Sequence, residues 1–113
     1  MATRKRRIES PEKYEIAVTK EAKADVLEIT KWYNRKADGL GDRFEEYMDE
    51  AIEKLTIRPF AFSYLVKEIR RIKLNKFPYF VFYEIAGNIV NIYGVIHNKR
   101  KPATYKKRLR RFL

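Results

Sequence analysis

The spacing of apolar and polar residues predicts a short strand and then a helix at the start of the chain. Tyr14, Ile16 and Val18 alternate with Lys13, Glu15 and Ala17, which is typical of a half-buried strand. Thr19 then fits a helix N-cap, and the apolar residues beyond it recur every three or four positions, which predicts a helix over 20–36. The apolar stripe of this helix consists of Ala22, Val26, Ile29 and Tyr33.

A second amphipathic helix is predicted after a break over 37–41, where two glycines favour a turn. This helix ends before Pro59, which cannot continue it. Its apolar stripe consists of Phe44, Met48, Ala51 and Leu55. We interpret the acidic residues on its other side as solvated surface, because nothing apolar surrounds them to raise a pKa for catalysis. Two helices joined by so short a break form an αα-hairpin.

The second half of the chain predicts a loop over 60–68 and then three strands. These strands cover 69–75, 79–86 and 89–97. Gly87 and Asn88 are typical of a two-residue hairpin turn between the last two strands. Both faces of the last strand carry apolar side chains, so we expect it to be central in the sheet. Simple alternation predicts that one face of this strand carries the odd-numbered residues, which are Ile89, Asn91, Tyr93, Val95 and His97.

A short C-terminal helix is predicted from Pro102, with Tyr105, Leu109 and Phe112 on an otherwise basic surface. The predicted fold class is therefore α+β, with the order β-α-α-β-β-β and a final short helix. A small, mainly antiparallel sheet would pack against the helical hairpin. We expect one domain over 13–113, preceded by a mobile basic arm over 1–12.

Charge is distributed unevenly along the chain, whose net charge is +11. Residues 1–53 hold 11 Lys and Arg against 13 Asp and Glu, whereas residues 54–113 hold 15 against 2. This asymmetry favours a polyanionic or acidic partner, such as nucleic acid, a ribosome or an acidic protein. A basic protein without such a partner is the plain alternative.

Cysteine is absent and histidine occurs once, so we expect neither a zinc site nor another metal or small-molecule cofactor. No apolar run approaches the roughly 18 residues that span a bilayer, and no secretory signal is recognisable. We therefore expect a cytoplasmic protein with no membrane partner.

Three local patterns follow one another along residues 14–108. The first, in the two helices, is A-x-x-x-V-L from Ala22, R-F at Arg43 and L-x-x-x-P from Leu55. The second, in the strands, is I-R-R from Ile69 followed by F-P-Y and V-F-Y over 77–83. The third is V-x-H-x-x-R-x-P from Val95. Together with the element order, these patterns resemble the RelE/ParE superfamily of toxins from type II toxin–antitoxin systems. The resemblance implies a RelE/ParE-like fold and a toxin that a cognate antitoxin protein holds silent.

The resemblance also implies one of two targets, because RelE-like members cut mRNA in the ribosomal A site whereas ParE-like members inhibit DNA gyrase without being nucleases. The fold does not decide between the two. Our first expectation is a ribosome-dependent mRNA interferase, that is, a metal-independent endoribonuclease. The alternatives are a non-enzymatic inhibitor of gyrase and an inactive member that only binds its antitoxin.

Metal-free RNA cleavage requires an activated 2′-hydroxyl, a stabilised phosphate charge and a protonated leaving oxygen. In RelE-like enzymes a basic pair on a strand, further arginines and a C-terminal tyrosine do this work. Arg71 and Lys73 match the pair, Tyr105 matches the tyrosine in spacing, and His97 suits proton transfer near neutral pH. These four are the candidate catalytic residues. The candidate substrate-binding residues are Arg70, Lys76, Tyr79, Lys99 and Arg100.

Each candidate also fits a structural role. Arg71 and Lys73 are compatible with an ordinary exposed sheet face. Tyr105 is compatible with packing of the last helix, and His97 with a cap at a strand end.

Two further residues bear on the choice of target. Phe80 stands where the RelE-like pattern carries an arginine, which would weaken transition-state stabilisation and favours the ParE alternative. Arg70 alternates with Arg71, so it is expected on the opposite face, where it could pair with an acid of the helical layer such as Glu53.

Overall fold

A computed structural model describes residues 13–113, so the predicted basic arm over 1–12 lies outside the described residues. The first half of the described chain contains β1 (Glu15–Val18), α1 (Lys20–Lys36) and α2 (Leu40–Ile57). A 3-10 turn at Pro59–Ala61 precedes β2 (Tyr64–Val66), β3 (Ile69–Lys73), β4 (Tyr79–Ala86) and β5 (Ile89–His97). The chain then forms α3 (Pro102–Leu109) and a final 3-10 turn at Arg110–Phe112.

Five strands form one sheet in the order β1-β5-β4-β3-β2. β1 runs parallel to β5, and the other neighbours are antiparallel. The predicted α+β fold, the helical hairpin and the position of β5 between two strands are therefore confirmed. The prediction was wrong about 60–68, which contains β2 rather than a continuous loop. β2 has only three residues and a register shift, so it is too short to display an alternating pattern.

The helical hairpin closes tightly because of local polar contacts. Thr19 caps α1 by accepting a hydrogen bond from the backbone N–H of Ala22 at 3.1 Å. At the start of α2, the backbone N–H of Gly41 donates to Asn34 Oδ1 at 2.8 Å. A Cβ at Gly41 would overlap the carbonyl oxygen of Thr30, so glycine is what allows the two helices to approach here.

Both faces of the sheet are covered, and each has its own hydrophobic core. On the face that α1 and α2 cover, which we call the hairpin face, the buried residues include Phe44, Met48, Leu55, Ile72, Val81, Tyr83, Val90 and Ile92. On the opposite face, which we call the α3 face, a smaller core consists of Ile69, Phe80, Phe82 and Leu109. The two cores explain why β4 and β5 are apolar on both sides.

Tyr83 lies in the larger core and joins β4 to the end of α2. Its side chain is fully buried, and its hydroxyl donates a hydrogen bond to the carbonyl oxygen of Pro59 at 2.7 Å. Burial raises the pKa of Tyr83 to about 12. Burial likewise raises the pKa of Tyr33 and of Tyr93 to about 12.

We expect the free energy of unfolding to fall as the pH rises from 10.0, the ordinary tyrosine pKa, towards about 12. The folded state binds the phenol proton more tightly than the unfolded chain, so its stabilising effect is complete below pH 10.0 and is lost through pH 12. Urea unfolding at the two ends of this pH range should show a smaller decrease in the free energy of unfolding for Tyr83→Phe than for the unmodified protein. Tyr64→Phe, at a residue that is 55% exposed, is the control. An equal loss in all three proteins would contradict this assignment.

Candidate functional site

A β-bulge in β5 changes which side chains share a face. Phe82 pairs with Gly94 while the next residue, Tyr83, pairs with Ile92, so Tyr93 is an extra residue in β5. Val95 and His97 consequently lie on the hairpin face, and Tyr93 lies on the α3 face, where its ring stacks on Phe112 at 3.9 Å. The expectation from simple alternation, that Tyr93, Val95 and His97 share one face, was therefore wrong.

The bulge separates the candidate catalytic residues into two groups. Arg71 and Lys73 are exposed on the α3 face, because they pair with Phe82 and Phe80 of the smaller core while Ile72 between them points into the larger core. Tyr105 packs on the same face from α3. His97 instead pairs with Tyr79 on the hairpin face, and the two rings meet edge-on with centroids 5.1 Å apart.

Phe80 occupies the centre of the group on the α3 face. Its ring is only 4% exposed. The guanidinium of Arg71 lies 5.5 Å from the ring centroid, and Tyr105 meets the ring edge-on at 5.8 Å. Arg71 and Tyr105 therefore flank a buried hydrocarbon ring that neither donates nor accepts protons. This surface can attract phosphates through Arg71 and Lys73.

A groove of about 560 Å³ lies between α1, the end of β5 and the start of α3, and His97 is part of its lining. We call it the α1 groove, and it is lined by Asp25, Glu28, Ile29, Trp32, Arg35, Tyr79, Val95, Ile96, His97, Arg100, Thr104 and Arg108. Two of the predicted substrate-binding residues, Tyr79 and Arg100, thus lie beside His97. Nδ1 of His97 accepts a hydrogen bond from the backbone N–H of Lys99 at 3.1 Å. The neutral imidazole therefore carries its proton on Nε2.

The other predicted substrate-binding residues lie outside both groups. Arg70 donates to the carbonyl oxygen of Phe62 at 2.6 Å and to the hydroxyl of Tyr64 at 2.7 Å. These contacts tie β3 to the preceding segment, so the suggested pairing of Arg70 with Glu53 was wrong. Lys76 lies in the turn between β3 and β4, where it adopts a positive φ of 67°. Lys99 is exposed in the turn after β5.

An ion pair that was not anticipated from the sequence holds α3 to the rest of the molecule. Asp25 in α1 accepts hydrogen bonds from both terminal nitrogens of Arg108, at 2.6 and 2.8 Å. The same carboxylate accepts the backbone N–H of Val95 at 2.9 Å. β1 pairs with β5 only as far as Ile92, so this N–H lies on an open edge and requires an acceptor. The hydrogen bonds to Asp25 raise the pKa of Arg108 above its ordinary value.

Gly94 makes this contact possible. A Cβ at Gly94 would overlap the ring of Phe82 and would lie 2.6 Å from Nη1 of Arg108. The guanidinium can pass over β5 only because that position carries no side chain. Two signals in the sequence point to this arrangement in retrospect: an aspartate beside the apolar stripe of α1, and a glycine inside an apolar strand.

Two absences apply to the part of the chain that the structure describes. Between residues 13 and 113, no helix has the length and apolar character needed to cross a membrane. Over the same range, no group of three or more His, Asp or Glu side chains is arranged to hold a metal ion.

Solved structures of toxins share this fold, which is that of the RelE/ParE superfamily. The chain is similar to the chromosomal ParDE toxin–antitoxin system of P. aeruginosa, with a TM-score of 0.66 and 16% identity over 74% of this chain and 95% of that chain. It is also similar to a double arginine-to-alanine mutant of the E. coli toxin RelE in the free state. That match has a TM-score of 0.51 and 14% identity over 89% of this chain and 99% of the other.

The sequence itself identifies the family within this superfamily. The family model of ParE toxins of type II toxin–antitoxin systems, parDE, matches residues 16–102. Because this match spans most of the chain, the chain belongs to the ParE toxin family. It is therefore a toxin of a type II toxin–antitoxin system, as the resemblance implied. No curated protein sequence matches the chain significantly.

Replacing Asp25 with alanine should lower the free energy of unfolding by roughly 1–3 kcal/mol, because the N–H of Val95 and the guanidinium of Arg108 would both lose their acceptor. Urea unfolding measures the change. The matched control is Glu28→Ala, one turn further along α1 at an exposed carboxylate. Equal stabilities of the two variants would show that the ion pair does not hold α3.

Proposed function

We propose that this protein is a ParE-type toxin that inhibits DNA gyrase by binding and does not cut RNA. The observation that carries the proposal is the separation of the candidate proton-transfer and phosphate-binding groups. His97 lies on the hairpin face, whereas Arg71 and Lys73 lie on the α3 face. A single phosphate on either face cannot contact all three.

In-line cleavage of RNA needs a base within hydrogen-bond reach of the 2′-hydroxyl, about 2.6–3.2 Å, and an acid within the same reach of the leaving 5′-oxygen of that phosphodiester. On the α3 face the only candidate beside Arg71 and Lys73 is Tyr105, whose ring is packed against Phe80. Phe80 supplies no charge at the position where the RelE-like pattern has an arginine. The α3 face therefore offers no acid–base pair for cleavage of RNA.

We further propose that a cognate antitoxin silences the toxin by covering its basic half with an acidic or amphipathic segment. Residues 54–113 carry 15 Lys and Arg against 2 Asp and Glu, which favours an acidic partner. β2 is short, and the backbone pairing of its segment with β3 ends at the hydrogen bond from the Arg71 N–H to the carbonyl oxygen of Ser63, at 3.0 Å. Among the described residues, the outer edge of β3 past Arg71 has no strand beside it, so an added strand fits there. Toxin, antitoxin and target would then meet in the cytoplasm.

Ribosome-dependent mRNA cleavage is the second candidate function. One observation favours it: Arg71, Lys73 and Tyr105 do lie on the same face. In that mechanism the basic pair would stabilise the phosphate charge, and Tyr105 would transfer the proton without help from His97.

The two candidates are separated by testing the purified protein in two assays at matched ionic strength. We expect inhibition of gyrase in a supercoiling assay and intact mRNA in a reconstituted translation system, read by primer extension. Codon-phased cuts that require ribosomes would overturn the proposal in favour of mRNA cleavage. No effect in either assay would identify a member that only binds its antitoxin.

The double substitution Arg71→Ala with Lys73→Ala should leave gyrase inhibition unchanged, because the proposal assigns no chemistry to this pair. Under the mRNA-cleavage alternative, loss of two charge-stabilising groups would reduce cleavage at least roughly 100-fold. The matched control is Lys106→Ala with Lys107→Ala, which removes the same charge from the exposed side of α3. Circular dichroism would verify that both variants fold.

A further inference from the structure

The α1 groove has the chemistry of a ligand site that neither candidate function uses. It lies between α1 and α3 at the end of β5, its lining does not include Arg71 or Lys73, and its volume of about 560 Å³ is in the range of small-molecule sites. Cationic and aromatic side chains contribute most of its functional groups. They are Trp32, Arg35, Tyr79, His97 and Arg100.

Three hydrogen-bond donors of the groove are available for an anion. Among residues 13–113, the guanidinium groups of Arg35 and Arg100 form no ion pair. His97 uses Nδ1 to accept the Lys99 N–H, which leaves the Nε2 proton free to donate. Guanidinium groups bind phosphate with two parallel hydrogen bonds, so they favour phosphate over a single point charge.

The acidic residues of the groove do not cancel this positive charge. Asp25 is already neutralised by its ion pair with Arg108, which is only 29% exposed. Glu28 is the other acid in the lining, and it faces Arg35 and Arg100 as a single carboxylate against two guanidinium groups. The groove is therefore electropositive and favours an anionic ligand.

Trp32 adds a flat apolar wall. Its side chain is 44% exposed, and its edge-to-face contact with Tyr33, at 5.0 Å and 81°, holds the indole in place. The ammonium of Lys36 lies over one face of the indole, 4.8 Å from its centroid, and adds a positive charge there, so a base would stack on the other face. Exposed aromatic rings beside cationic groups are where nucleobases stack.

We propose that the α1 groove binds a nucleoside phosphate, with the base on Trp32 and the phosphate on Arg35, Arg100 and the Nε2 proton of His97. The ligand is either a free nucleotide or one nucleotide of a single strand. This proposal is independent of the gyrase proposal, since it makes no use of Arg71 or Lys73, which lie outside the groove.

Trp32 is the only tryptophan of the chain, so its fluorescence reports directly on the groove. We would titrate the full-length protein with AMP and, separately, with a short single-stranded oligonucleotide. A saturable change in fluorescence is expected. Arg35→Ala and Arg100→Ala should each weaken binding about tenfold, which is the loss of one charge-assisted hydrogen bond. Lys54→Ala, which removes an exposed cation of α2 outside the groove, is the control and should bind as the unmodified protein does.

The two sources of ligand give different results. Saturable binding of AMP shows that a free nucleotide suffices. Binding of the oligonucleotide alone, still weakened by Arg35→Ala but not by Lys54→Ala, assigns the site to nucleic acid. Equal losses in the groove variants and in Lys54→Ala would overturn the proposal, because they would indicate general surface electrostatics. Equally tight binding of inorganic phosphate or of poly-glutamate would also overturn it, as would the absence of any saturable change. The assay contains no gyrase, so its outcome leaves the target assignment untouched.

Discussion

The carboxylate of Asp25 is the contact on which the arrangement of the second sheet face depends. β1 pairs with β5 only as far as Ile92. On the edge of β5 beyond that residue, Asp25 accepts the hydrogen bond of the Val95 backbone N–H. The same carboxylate binds the guanidinium of Arg108, which passes over Gly94. Leu109, the next residue, is thereby held in the smaller core, so one ion pair joins an edge, a helix and a core.

This arrangement gives the molecule two separate basic surfaces. α3 covers the middle of the α3 face, which leaves Arg71 and Lys73 exposed beside it. The bulge at Tyr93 turns His97 to the hairpin face, where it joins Arg100 in the α1 groove. A single phosphate therefore cannot contact Arg71, Lys73 and His97 together, which is the geometric basis of our proposal that this toxin acts by binding.

Phe80 connects the packing of the protein to its proposed function. The position is 4% exposed, and it lies between the guanidinium of Arg71 and the ring of Tyr105. An arginine there would be a charge buried without an acid beside it, which is costly. The residue that departs from the RelE-like pattern is thus also the residue around which α3 packs, so α3 packing and an arginine at this position compete for the same space.

The sequence by itself determined the helices, three of the four later strands and the fold class, because these follow from periodicity between near neighbours in the chain. It also identified Arg71 and Lys73 as alternating residues of one strand, since their spacing is local. Only the tertiary structure decided the location of His97, because one bulged residue reverses every side chain beyond it. The pairing of Asp25 with Arg108 joins residues 83 positions apart, and no local pattern encodes a contact between such distant residues.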